Sequence, residues 1–130
     1  MKIVGTAIIA NEKGEILVGK RPQGKALAGM WEFPGGKQEE GETVEQCIMR
    51  EIYEELNVHC CVGEFLLTVS KSYEHGDFKL MVYKTTINDL ENLKANVHEE
   101  LRWIAPRDMI EADFPPADVE IIEYLQRHFL

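Results

Sequence analysis

The segment from Gly36 to Val58 restricts this chain more than any other part, because it holds a short helix with both ends written in its residues. Thr43 followed three residues later by Gln46 is a capping-box pattern, in which each side chain satisfies a backbone N–H that the first turn leaves free. The helix therefore begins at Val44. Asn57 falls where the chain must leave the helix in the left-handed conformation, which asparagine tolerates better than most residues, so the helix ends at Leu56. At about 100° per residue, Glu51, Glu54 and Glu55 share roughly one third of the circumference with Val44, Cys47 and Ile48. A solvated acidic face belongs opposite the apolar stripe, whereas this one continues it. Such carboxylates repel one another and need cations or basic groups among them. A divalent metal is one partner, since Mg2+ and Mn2+ prefer hard oxygen ligands. The plainer alternative is a charged helix face with internal pairs, such as Arg50 with Glu54 at four residues' spacing.

The residues ahead of the helix favour the metal. Gly35-Gly36 lets backbone come close to a ligand and can turn a carbonyl toward a cation, and Lys37 adds a charge suited to phosphate oxygens. Glycines also serve plain turns, so they carry this only together with the helix.

Composition narrows the function classes. A chain of 130 residues, 45% hydrophobic and 28% charged, is expected to form one domain, 1–130, around a single core. With 14 basic against 23 acidic side chains, net charge −9, it does not suit the phosphate backbone of a nucleic-acid polymer. A small polyphosphate accompanied by divalent cations remains compatible. Cys47, Cys60 and Cys61 form no disulfide framework and no zinc spacing, and read as free, buried thiols of a reducing, cytoplasmic protein. The apolar run Ile3 to Ala10 is broken by Gly5 and Thr6 and is too short for a membrane span or signal peptide. The sequence does not separate a monomer from a homodimer.

Alternating apolar residues and turn signals predict strands at Lys2–Ala10, Glu15–Lys20, Trp31–Phe33, Val58–Tyr73, Phe78–Ile87 and Leu101–Ala105. Asn11–Gly14 and Glu74–Asp77 read as turns, and Arg21–Met30, with Pro22, Gly24 and Gly29, as a surface loop. Val119, Ile122, Leu125 and Phe129 follow Pro115-Pro116 at helical intervals and predict a second helix over Asp118–Phe129. The expected class is α+β, a mixed sheet with two helices.

Gly36, Glu42, Arg50-Glu51-Ile52, Glu54-Glu55 and Asn57-Val58, at these spacings, resemble the Nudix box, departing from it only in Asn57, where the family has glycine. Trp31-Glu32-Phe33-Pro34-Gly35-Gly36-Lys37 and Phe114-Pro115-Pro116-Ala117 resemble the MutT-like branch, so the resemblance runs over nearly the whole chain. It implies an α/β/α sandwich around a central mixed sheet, and a Mg2+-dependent hydrolase that splits a nucleoside triphosphate into monophosphate and pyrophosphate. Mn2+ is a possible substitute. Carried over position by position, the Gly36 carbonyl with Glu51, Glu54 and Glu55 would hold metal, one glutamate would serve water activation, Arg50 would hold Glu51, and Glu42 would support loop and helix. A further base or ligand can come from outside the box, with His98, Glu99 and Glu100 as candidates against the plainer reading of an exposed acidic turn.

The resemblance places Arg21 and Asp118 at nucleotide-contacting positions, with Phe33 and Phe78 as pocket or core aromatics. Aspartate also favours helix starts, so Asp118 reads equally as a cap. The MutT pattern has asparagine there, and an ionised aspartate only accepts hydrogen bonds. An oxidised guanine triphosphate such as 8-oxo-dGTP is the first expectation, and CTP, dCTP or 5-methyl-dCTP the alternative. A domain that binds nucleotide without hydrolysis is the alternative of another class, although the box glutamates are all present.

Overall fold

The computed structural model describes residues 1–74 and 76–129. In chain order the elements are β1 (Lys2–Ile9), β2 (Ile16–Lys20), β3 (Trp31–Glu32), β4 (Gly35–Lys37), α1 (Val44–Leu56), β5 (Cys60–Tyr73), β6 (Gly76–Ile87), β7 (Glu100–Ile104) and α2 (Val119–His128). Short 3-10 turns at Leu90–Asn92, Pro106–Asp108, Glu111–Asp113 and Pro116–Asp118 fill the long connections.

The strands form two sheets. One is mixed and four-stranded, in the order β4-β1-β6-β5, with β1 parallel to β6 and antiparallel to β4. The other is antiparallel, with β2 between β3 and β7. Alternation along β1 explains the layering: Ala7 and Ile9 pack with Ile48, Ile52 and Leu56 of α1, while Ile8 packs with Ile121, Ile122 and Leu125 of α2. β2 repeats the pattern, Leu17 joining the α1 side and Ile16 and Val18 the α2 side. Each such fully buried aliphatic side chain contributes roughly 1.5–3 kcal/mol. Both faces are thus covered, one helix to each, as the expected α/β/α sandwich requires. No helix among the described residues is long and apolar enough to cross a membrane.

α1 has the expected bounds, and its ends are built as the residues dictate. The Gln46 N–H donates to Thr43 Oγ1 at 3.1 Å and the Thr43 N–H to Gln46 Oε1 at 2.9 Å. Asn57 is left-handed, φ 61°, and its N–H closes on the Tyr53 carbonyl at 3.0 Å.

Three expectations are corrected. Gly35–Lys37, outside the strands expected above, is a strand, because Gly36 stands opposite Gly5 in the β1–β4 ladder and the two bare backbones can pair closely. Cys61 is exposed, not buried, because successive residues of β5 face opposite sides and Cys60 takes the inner one. The β5–β6 register sets Tyr73 opposite Gly76, a tighter connection than the turn expected over Glu74–Asp77. Of that turn, His75 lies outside the described residues.

The cap geometry gives a test. Asn57→Ala forces an ordinary residue into the left-handed conformation and removes the Asn57 Nδ2 bond to the Asn92 carbonyl. Urea denaturation should show a loss of about 1 kcal/mol, whereas Asn57→Gly should stay within about 0.5 kcal/mol of the parent.

Candidate active site

α1 lies against β1 and β4 where side chains are missing. A Cβ on Gly5 would sit 2.8 Å from Ile48 Cγ1, and a Cβ on Gly36 would overlap the Glu51 carboxylate. The glycine pair therefore lets Glu51 descend onto the Gly36 backbone. The Cys47 thiol donates to the Gly36 carbonyl at 3.3 Å, fixing the helix to this strand from inside, and burial pushes that thiol up to about 11.

Arg50 gathers the acidic residues. Its guanidinium reaches Glu42 through Nε at 3.1 Å and Nη2 at 2.8 Å, Glu51 through Nη1 at 2.9 Å, and the Lys37 carbonyl at 3.0 Å. The fork on Glu42, with the Glu39 N–H, holds that carboxylate down to about 2 and raises Arg50 further above its ordinary value. Glu54 takes the i, i+4 pair at 3.3 Å but stays exposed. Sequence phase had placed Glu54 in the buried sector with Glu51 and Glu55. Ile52 and Leu56, both fully buried, draw the packed arc round the helix and leave Glu54 on its outer rim.

Glu55 is the opposite case. Burial pushes it up first, and the bond and charge of Glu51 and the charge of Glu32 push further, to about 9, against only a weak pull from the Gly35 N–H at 3.4 Å. Two half-buried carboxylates with too little positive charge between them, lying against Gly36, are a donor set suited to a hard divalent cation. Among the described residues no three His, Cys, Asp or Glu side chains are already gathered as ligands. The fit lies in the chemistry of the donors.

Beside this cluster opens a cleft of about 490 Å³, lined by Thr6, Arg21, Leu27, Glu32, Phe33, Gly35, Lys37, Phe78 and Asp118 among others. It holds the residues singled out for base contact and borders the box at Gly35, whose N–H lies 3.4 Å from Glu55 Oε1. Phe33 stacks on Phe114 in the core at 5.6 Å and also lines the cleft. Lys37 is exposed at the rim, its Nζ 5.9 Å from the Phe78 ring centre. Arg21 is fixed by Glu32 at 2.7 Å and by the Ala26 carbonyl at 2.6 Å.

Asp118 makes no side-chain capping bond, so the cap reading falls away. It is buried on the cleft wall. Burial raises its carboxyl and the Glu32 charge adds to that, the Phe33 N–H and Arg21 pull the other way, and the result is about 7. Glu99 and Glu100 are exposed as the acidic-turn reading expects, but His98 is buried against Glu32. The partner in that contact, Glu32, was the residue sequence reasoning passed over. Its signal was a lone carboxylate between Trp31 and Phe33, whose neighbours both turn into the core.

The NUDIX domain model matches residues 5–124. The chain is 33% identical over 118 residues to the CTP pyrophosphohydrolase of Escherichia coli (strain K12), covering 90% of this chain and 86% of that protein. To the 8-oxo-dGTP diphosphatase of the same organism it is 31% identical over 125 residues, covering 95% of each. The solution structure of the E. coli ORF135 protein superposes with a TM-score of 0.84 at 31% identity over 98% of this chain and 89% of that one. This chain belongs to the NUDIX family and has its MutT-like fold.

Asp118 also sets a pH dependence. Its folded value of about 7 lies above the ordinary 3.8, so between those values the folded state holds a proton that the unfolded chain has lost. The favourable contribution is complete below about pH 4 and gone above about pH 7. Asp118→Asn should therefore be more stable than the parent at pH 8, by up to roughly 4 kcal/mol, with the gain vanishing near pH 4 in thermal melts.

Proposed function

We propose that this chain is a MutT-like, Mg2+-dependent nucleoside triphosphate pyrophosphohydrolase that releases monophosphate and pyrophosphate and serves nucleotide-pool sanitation in the cytoplasm. The observation that carries the reading is that the cleft walled by Asp118 and Arg21 reaches Gly35, whose N–H lies 3.4 Å from the Glu55 carboxylate. A triphosphate laid along it places its phosphates toward Lys37 and Gly35, where a cation held by the box would meet them, and its base against Phe33 and Asp118. The free thiols suit a reducing compartment.

The Gly36 carbonyl, Glu51, Glu54 and Glu55 would hold the Mg2+. When bound, this cation neutralises charge that develops on the phosphate oxygens as water attacks phosphorus. Arg50 keeps Glu51 aimed inward and holds Glu42 as a brace between strand and helix. One of the box glutamates would accept the proton of the attacking water.

Asp118 bears on the base. With its value near 7, the carboxyl holds a proton over part of the physiological range, and then donates as well as accepts, as an asparagine amide would. That keeps 8-oxo-dGTP and related oxidised purines as the first substrate class. The ionised form accepts only, which favours the amino group of cytosine. The similarity to a relative named CTP pyrophosphohydrolase makes CTP, dCTP and 5-methyl-dCTP the second reading.

A panel of triphosphates with Mg2+ tests the reaction class: pyrophosphate release from at least one is expected, while binding without release from any would leave a non-hydrolytic nucleotide-binding domain. Glu55→Gln should lower turnover by at least about 100-fold with the melting temperature held within a few degrees, and Mg2+ should raise the melting temperature of the parent alone. The preference for 8-oxo-dGTP over dCTP should fall as pH rises through about 7 in the parent, and stay flat in Asp118→Asn.

A further inference from the structure

Arg21 faces the cleft, Glu32 holds Arg21, and Glu32 is held in turn by a residue outside the cleft lining. His98 places Nε2 at 2.9 Å from Glu32 Oε2, while Glu32 Oε1 takes the Arg21 guanidinium at 2.7 Å. The two carboxylate oxygens are thus divided between one partner on the cleft side and one behind it.

The sheet explains how His98 gets there. Gly19 of β2 stands opposite Glu32 of β3 on one side and Leu101 of β7 on the other. With no side chain at Gly19, the His98 ring lies over its Cα, where a Cβ would overlap the ring. The Glu99 N–H donates to the Lys20 carbonyl at 2.9 Å and fixes the entry to β7. The imidazole is 2% exposed, packed over Gly19 and against Glu32.

The hydrogen-bond chemistry fixes which atom carries the proton. Burial raises Glu32, but the bonds from His98 and Arg21 with the Arg21 charge outweigh it, and the carboxylate stays ionised and accepts only. His98 Nε2 must donate. Its Nδ1 is buried and meets no partner among the described residues.

We propose that His98 is a positioning residue for base selection: by donating Nε2–H to Glu32 it locks the carboxylate that orients Arg21 on the cleft wall. This rests on the cleft being the nucleotide site. His98 touches neither substrate nor the glutamate cluster, so its loss should blur the choice among bases and spare the chemical step.

His98→Gln sets an amide N–H at the reach of Nε2, whereas His98→Leu keeps an apolar filling and leaves Glu32 one donor short. Over the triphosphate panel, His98→Leu should compress the kcat/KM ratio between best and worst base about ten-fold through KM, with kcat on the best substrate within about three-fold. His98→Gln should restore the ratio to within about three-fold. In a Glu32→Gln background, His98→Leu should add little. An equal effect in both backgrounds, or a lower melting temperature with unchanged base ratios, would overturn the proposal. Nitrogen NMR of labelled histidine gives a readout free of catalysis: the proton should sit on Nε2, and its resonance should move in Glu32→Ala. A neutral Nδ1–H form would also overturn it. If the parent releases no pyrophosphate from any triphosphate, the proposed function fails by itself, and the same base ratios are read as dissociation constants of α,β-imido triphosphates. An absence of all nucleotide binding would end the positioning role as well.

Discussion

The closeness of α1 to β1 and β4 is the constraint on which the rest of this molecule depends. Gly5 and Gly36 face each other across the ladder, and the space their side chains would need is taken by Ile48, Cys47 and Glu51 of the helix. An alanine at Gly5 would press on Ile48, and one at Gly36 would displace the Glu51 carboxylate. Once the helix is down, Cys47 meets the Gly36 carbonyl, Ile48 and Ile52 enter the core, and Glu51 and Glu55 are carried into a half-buried position they would not take alone. The hydrophobic packing on one side of α1 thus supplies the energy that confines the carboxylates on the other.

Charge is distributed unevenly over that confined group. Arg50 is shared among Glu42, Glu51 and Glu54, and its best geometry goes to Glu42, which braces strand and helix. Among the described residues Glu55 receives no basic partner and is left with like charge from Glu51 and Glu32. A site that only stabilised the fold would pair its buried charges. Here the imbalance is concentrated against the Gly36 backbone, and a hard cation is the component that would balance it. Glu32 links this centre to the Asp118 wall of the cleft, since its charge acts on Glu55 and Asp118 while its oxygens are held by Arg21 and His98.

Local rules made much of this legible. The capping box, the left-handed Asn57 and the apolar spacing are interactions between residues a few positions apart, so α1 could be bounded from its residues alone. The strands of β1, β2, β5, β6 and β7 followed from alternation, with bounds displaced by a residue or two. What failed did so for non-local reasons. Gly35–Lys37 carries no strand propensity and pairs only because Gly5 happens to lie opposite. Glu54 left the buried sector because Ile52 and Leu56 chose which face of the helix meets the sheet. Asp118 read equally as a cap or a contact until its carboxyl proved to lack a capping bond and to face the cleft.

By itself, the sequence determined the helix and its caps, the identity and spacing of the box residues, and a composition unsuited to a nucleic-acid surface. Those are matters of covalent order and near-neighbour hydrogen bonding. The tertiary structure decided which carboxylates are desolvated, how Arg50 divides itself among them, and that His98, Glu32, Arg21 and Asp118 share one wall. Proton affinity and orientation depend on burial and on partners brought from distant parts of the chain, and only the packed sheets bring them together.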